Sequence, residues 1–135
     1  MATDPVRLGQ HTLVEEGDTL VIRMVGPFTM AEAVPLYAIV SRVYATHGRC
    51  FLLADVRQMG PLDMPTRRFV AGRPEREIDA VAVFGSNAAL RTIAELMFSA
   101  IRLMRRRKVA AIDFARDEAA ARRWLAEQGA RGDGG

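Results

Sequence analysis

Hydrophobic and polar residues alternate at the start of the chain and then give way to longer periodic stretches. Two β-prone runs flank Gly17, which can supply the positive φ of a tight turn, so this pattern predicts a hairpin. Thr29 followed by Glu32 is a capping-box pattern for a helix that ends at Gly48. Pro35 leaves two interpretations open, since the helix either kinks there or begins later with Pro35 in its first turn.

Three later segments are short, continuous apolar runs, which is the pattern of strands buried on both faces. The runs cover residues 49–56, 78–84 and 109–114, and helices are predicted from about 63, from 86 or 87 to 105–108, and from 117 to 128. This order predicts an α/β fold in which a mixed five-stranded sheet, made of an N-terminal antiparallel hairpin plus parallel strands, is flanked by four helices. We expect residues 1–9 to form a flexible N-terminus, 10–128 a single domain and 129–135 a disordered tail.

The composition is that of an ordinary globular domain. The 135 residues are 50% hydrophobic and 26% charged, far from the composition of disordered chains. Cys50 is the only cysteine, so an intrachain disulfide is impossible, and its apolar surroundings predict a buried thiol. The sequence contains no run of about 18 apolar residues that would span a bilayer, and we expect a cytoplasmic protein without a transmembrane segment.

The net charge of +3 comes almost wholly from arginine and is too small to favour nucleic-acid binding. One basic run could either bind phosphates or stabilise the end of the long helix electrostatically. The turn at the start of that helix could present free amides to an anion or simply cap the helix. The residues of these two anion-binding candidates are Arg105, Arg106, Arg107 and Lys108 in the run, and Ser86 and Asn87 in the turn.

The long helix carries more apolar surface than one sheet face requires. Its apolar residues, Leu96, Phe98 and Leu103 among them, cover an arc of about 220°, whereas packing on a sheet needs a little over about 100°. Neighbouring helices could cover the surplus, or it could line a ligand pocket or meet another subunit. Met59 and Met64 could add an adaptable apolar wall to such a surface, or could belong to the core.

No pattern of catalytic or metal-binding residues occurs in the sequence. His11 and His47 lie in different elements without neighbouring ligands, and no nucleophile elbow or phosphate-binding loop is present, so we expect no enzyme activity, metal or cofactor. Asp55 follows a predicted parallel strand at the edge where α/β proteins place ligands. A salt bridge between Asp55 and Arg57, or a hydrogen bond from Asp55 that caps the loop, is the alternative.

The order of elements and three segments, LLADVRQMG, AVAVFGSNAALRTIAELMF and VAAIDFARDEAAARRWL, resemble the SpoIIAA-like members of the STAS and Sec14-like superfamily. The resemblance covers about residues 10–128. It implies a regulatory module that binds a protein partner or forms a homodimer. The alternative that it implies is a carrier or sensor of a small hydrophobic ligand.

One feature of the resembling family is absent from this sequence. Phosphorylatable members of the family carry a serine or threonine in an Asp-Ser-x-Gly type motif after the third strand. Here Asp55 is present without an adjacent hydroxyl, and Thr66 is the nearest candidate, several residues later. Thr66 is therefore either a late phosphorylation site or an ordinary residue near the start of a helix.

Overall fold

The computed structural model describes residues 4–71, 77–92, 95–96 and 111–134. Within them, six strands form a single sheet in the sequential order β1-β2-β3-β4-β5-β6. The first two pairings are antiparallel and the following three are parallel, so the predicted mixed sheet is confirmed, but it has six strands among the described residues instead of the five predicted. The strands are β1 (Val6–Leu8), β2 (His11–Glu16), β3 (Thr19–Phe28), β4 (Phe51–Leu62), β5 (Ala80–Phe84) and β6 (Ala111–Ala115).

Four helices accompany the sheet, as the sequence predicts. They are α1 (Met30–His47), α2 (Met64–Ala71), α3, which is described at residues 88–92 and 95–96, and α4 (Glu118–Gly134). Thr29 and Gly48 bound α1 as predicted, and the N–H of Gly48, at φ 76°, donates to the carbonyl of Tyr44. Pro35 lies inside α1, which begins five residues before it.

The helices divide between the two faces of the sheet. The buried side of α1, together with Phe69 of α2 and Leu90 of α3, packs on the face formed by Leu20, Ile22 and their neighbours. Helix α4 packs on the opposite face through Ala121 and Leu125. The three helices that connect parallel strands therefore lie on one face, as right-handed crossovers require when the sheet grows in one direction.

Two strand boundaries differ from the prediction. Part of the expected flexible N-terminus is strand β1, where Leu8 is buried in the core and Gly9, at φ 64°, turns the chain into β2. Three residues before a turn are too few for alternation to reveal a strand. Strand β4 continues to Leu62 instead of ending near Val56, because two register irregularities let it follow β3 past its apolar core segment.

The end of α4 also differs from the prediction. The sequence predicts that the helix stops at Gly129 and that a disordered tail follows, but the helix continues to Gly134. Gly129 does not have the positive φ of a helix-ending glycine. It instead lies against the ring of Phe51, and its carbonyl accepts a hydrogen bond from Arg49 Nη1 at 3.2 Å. This glycine therefore marks close packing of the helix on the sheet.

Candidate functional site

Asp55 lies within β4, in register with Phe84 at the end of β5, and Arg23 of β3 is directly beside it in the parallel register. Arg57 donates to both carboxylate oxygens of Asp55, from Nε to Oδ1 at 3.0 Å and from Nη2 to Oδ2 at 2.7 Å. Arg23 Nε lies 3.2 Å from Oδ2. The Asp55 side chain is 6% exposed, whereas those of Arg23 and Arg57 are 59% and 61% exposed. We refer to these three residues as the Arg23–Asp55–Arg57 cluster.

A bulge in β4 explains how Asp55 and Arg57 come to pair. Arg23 is opposite Asp55 and Val25 is opposite Gln58, so β4 has one more residue than β3 between these positions. The extra residue frees a backbone N–H from the ladder. The N–H of Arg57 uses this freedom to donate to Asp55 Oδ1 at 3.1 Å.

The neighbouring strand leaves room for Arg57. Gly85 follows β5 at φ 82°, and a Cβ atom there would lie 2.1 Å from Arg57 Cγ. Only glycine therefore permits the Arg57 side chain to lie across the end of β5. The guanidinium carbon of Arg57 also lies 5.5 Å from the centre of the Phe84 ring. The Asp55 carboxylate and the Phe84 ring therefore hold Arg57, and the missing side chain of Gly85 leaves room for it.

The environment of Asp55 stabilises its ionised form. The side-chain hydrogen bonds from Arg57 lower the pKa of the Asp55 carboxyl below its ordinary value, against the opposing effect of burial. The backbone hydrogen bond from Arg57 and the charges of Arg57 and Arg23 lower this pKa further. The salt bridge that the sequence offered as an alternative role for Asp55 is present.

The predicted residues on either side of the β4–α2 connection have different surroundings. Met59 belongs to β4 and is partly buried against the core, while Met64 begins α2 and is 52% exposed. Thr66 is not at the surface, because it is fully buried in the first turn of α2. Its backbone N–H donates to Asp63 Oδ1 at 3.0 Å, while its hydroxyl meets no partner of standard distance and angle among the described residues.

The described part of α3 is mostly exposed to solvent. Leu90 packs against the core, but Leu96 is 66% exposed. Asn87 caps this helix, since its Oδ1 accepts the N–H of Leu90 at 2.8 Å, and Ser86 precedes it in the turn after Gly85. The remaining predicted residues, Phe98, Leu103, Arg105, Arg106, Arg107 and Lys108, lie outside the described residues.

The structure brings together two sites that the sequence treated separately. Because Arg57 lies against Gly85, the cluster around Asp55 adjoins the turn that leads to Ser86 and Asn87. Arg23 and Gly85 were missed as parts of this site. An arginine inside the apolar run of β3 was the available signal for Arg23, but pairing it with Asp55 requires the strand register.

A groove of about 410 Å³ lies between α4 and the start of β4. Phe51, Leu53 and Leu125 form its apolar part. Its charged sides are already paired, since Arg49 Nε lies 2.5 Å from Asp18 Oδ2 and Arg122 Nη1 lies 2.9 Å from Glu16 Oε1. The groove therefore combines an apolar floor with a rim whose charges neutralise one another.

The Cys50 thiol and the His11 ring are both buried. Burial, with a further contribution from the charge of Asp79, raises the pKa of the Cys50 thiol to about 12, so the thiolate is strongly disfavoured. His11 Nδ1 accepts the N–H of Val25 at 2.9 Å, and Nε2 donates to the carbonyl of Pro27 at 3.1 Å. Among the described residues, no group of three or more His, Cys, Asp or Glu side chains could hold a metal ion, and no described helix is long and apolar enough to cross a membrane.

The fold is a small mixed α/β domain of the kind found in two solved structures. The anti-sigma factor antagonist SpoIIAA in its unphosphorylated form is 16% identical, with a TM-score of 0.56 over 82% of this chain and 93% of its own. An uncharacterised DUF3478-family protein with a SpoIIAA-like fold from Shewanella loihica is 14% identical, with a TM-score of 0.59 over 92% of this chain and 93% of its own.

The match in sequence extends over most of the domain. The SpoIIAA-like family matches residues 19–126, and the chain belongs to this family. The predicted family resemblance is thereby confirmed. No curated protein shows significant similarity to the chain.

Proposed function

We propose that this protein is a non-enzymatic, cytoplasmic regulatory module that binds a protein partner or a second copy of itself. The observation that carries the proposal is the exposure of Leu96 on α3 and Met64 on α2, two helices that pack on the same face of the sheet. A large exposed apolar side chain loses solvent contact when a partner covers it, and this burial stabilises the complex.

The family supports the same proposal. SpoIIAA, which has the same fold, is described as an anti-sigma factor antagonist, and such a protein acts through another protein. The buried, protonated thiol of Cys50 also gives no support to nucleophilic catalysis. Binding of a small hydrophobic ligand has less support, because the groove beneath α4 is rimmed by ion pairs.

The test places a charge on the proposed surface and leaves the core untouched. Tagged wild-type protein and the variants Leu96→Glu and Met64→Glu are compared for self-association by light scattering and for affinity toward co-purified proteins by calorimetry. We expect Leu96→Glu to weaken binding by about tenfold or more, as a charged residue in an apolar contact costs at least about 1.4 kcal/mol. Val6→Glu is the matched control, because Val6 is an exposed apolar residue on β1, at the opposite edge of the sheet.

The result can also go against the proposal. A monomeric wild-type protein whose Leu96→Glu and Met64→Glu variants stay folded and bind every co-purified protein with unchanged affinity would show that this surface is not used. An equal loss of affinity in Val6→Glu would also contradict the proposal, because it would mean that charge alone disturbs binding.

A further inference from the structure

The Arg23–Asp55–Arg57 cluster contains two guanidinium groups and one carboxylate. Arg57 uses Nε and Nη2 for Asp55, and Arg23 uses Nε. In the described part of the chain, the other terminal N–H groups of both arginines have no recorded acceptor. The cluster therefore has a net positive charge and several N–H donors that face solvent.

An ordinary surface ion pair in the same protein gives a direct comparison. Arg42 is 57% exposed and donates to both oxygens of Glu15, at 3.1 and 2.6 Å, so its pairing and exposure resemble those of Arg57. The Glu15 side chain is 23% exposed, whereas that of Asp55 is 6% exposed. In the cluster, a buried carboxylate contacts two guanidinium groups.

Arg57 is held at two atoms before any ligand arrives, whereas Arg23 is held at one. Both contact the same oxygen of Asp55, so their guanidinium groups are close together. The absence of a Cβ at Gly85 leaves room for the methylene groups of Arg57, and the Arg57 guanidinium lies over the Phe84 ring. Fixed donors lose little conformational entropy on binding, which favours recognition of an anion by these groups.

The surroundings of the cluster contain charges of both signs. Arg116 follows β6, whose last residue Ala115 is in register with Phe84, and it is exposed. The negative charge of the nearby Glu118 acts on Arg57, and Glu118 Oε2 also accepts from Arg122 Nε at 2.9 Å. Asp117 lies 3.6 Å from Arg116 and caps α4 by accepting the N–H of Ala120.

We propose that the Arg23–Asp55–Arg57 cluster binds the phosphate group of a small soluble phosphomonoester. A phosphate dianion has three acceptor oxygens in a tetrahedral arrangement, so it can accept from two guanidinium groups in different planes at once. A carboxylate has two acceptor oxygens in one plane, one fewer than a phosphomonoester. This site is separate from the apolar surface of Met64 and Leu96, and it goes beyond the proposed regulatory function.

The experiment follows the amide and arginine Nε resonances of the 135-residue protein by NMR during titration with methyl phosphate at constant ionic strength. We expect saturable shifts at Arg23, Arg57 and Gly85. Arg57→Gln should weaken binding about tenfold through loss of a charge-assisted contact, whereas Arg42→Gln, the matched control, should change it by less than about twofold. Arg57→Lys should also weaken binding, because it keeps the charge but loses the planar fork.

Arg23→Gln provides a second test if Arg57→Gln does not fold, since Arg23 makes only one of the ion contacts to Asp55. Absence of saturable shifts at these residues, or an equal loss of affinity in Arg42→Gln, would overturn the proposal. Tighter, variant-sensitive binding to vesicles of phosphatidic acid in phosphatidylcholine than to methyl phosphate would overturn the assignment to a soluble ligand. The regulatory proposal is tested separately by the Leu96→Glu variant.

Discussion

At the scale of single residues, Asp55 combines burial with ionisation. Its carboxylate accepts hydrogen bonds from Arg57 and an ion contact from Arg23, and these interactions hold its pKa below the ordinary value. Between the folded-state pKa and the ordinary value, the unfolded chain binds more protons at this position than the folded one. The stability that Asp55 contributes is therefore present above the ordinary value and lost as the pH falls through the folded-state pKa.

We expect Asp55→Asn to lower the free energy of unfolding at pH 7 by about 1–3 kcal/mol, because it removes charged hydrogen bonds and leaves two arginines without their carboxylate. The difference between wild type and variant should shrink as the pH is lowered below 4, since asparagine does not titrate. Urea unfolding followed by circular dichroism at several pH values measures this difference. Asp4→Asn, at an exposed position near the N-terminus, should give no comparable difference.

At the scale of elements, the end of β4 depends on one glycine. A Cβ atom at Gly60 would lie 2.8 Å from both the carbonyl carbon of Gly26 and the nitrogen of Pro27, which are backbone atoms of β3. Backbone atoms in a paired strand cannot move aside cheaply, so the two strands approach each other closely only because this side chain is missing.

Gly60→Ala should destabilise the protein by about 1–3 kcal/mol as a result of this overlap. Gly129→Ala is the contrasting control, because a Cβ there would meet the Phe51 ring at an ordinary 3.7 Å and alanine favours the helix by about 1 kcal/mol. Thermal unfolding of both variants measures the effect. A Gly60→Ala protein as stable as Gly129→Ala would contradict the packing of β3 on β4 described above.

The elements also show what sequence periodicity can and cannot predict here. Capping residues and apolar runs predicted α1, the hairpin and the parallel strands, because each signal is local. Strand β4 was predicted too short because two bulges after Asp55 interrupt the regular pattern while pairing with β3 continues. The role of Gly129 was predicted wrongly because the sequence does not distinguish a glycine needed for close helix packing from a glycine that ends a helix.

The candidate site was only partly predictable for a similar reason. Asp55 and its salt bridge to Arg57 follow from positions two apart in one strand. Arg23 and Gly85 come from neighbouring strands, and their contact with the site depends on a register that periodicity does not determine. The burial of Thr66 likewise depends on how α2 packs on the core.

At the scale of the whole molecule, the sheet separates two layers of different size. The face under α1, α2 and α3 contains the larger core, and its helices carry the exposed Met64 and Leu96. The face under α4 contains the smaller core, which includes Phe84 beside Arg57. The surface proposed to bind a protein and the cluster proposed to bind an anion share no residue.

The rate at which Cys50 is alkylated measures how often the domain unfolds around it. Its side chain is fully buried at the start of β4, and its thiol pKa of about 12 leaves almost no thiolate at pH 8. Alkylation therefore requires the protein to unfold around it, and for a stability of about 5 kcal/mol the rate at pH 8 should be at least about a thousandfold below that in urea.

Iodoacetamide labelling followed by mass spectrometry measures this rate, and the free energy derived from it should equal that from urea unfolding if Cys50 is exposed only by global unfolding. A Cys50→Ala/Thr46→Cys protein, with its single thiol at an exposed position of α1, should react at nearly the unfolded rate. Rapid labelling of Cys50 in the native protein would mean that the two layers separate at β4 without global unfolding. The Arg23–Asp55–Arg57 cluster, carried by β3 and β4, would then lack the rigid support that its donors need.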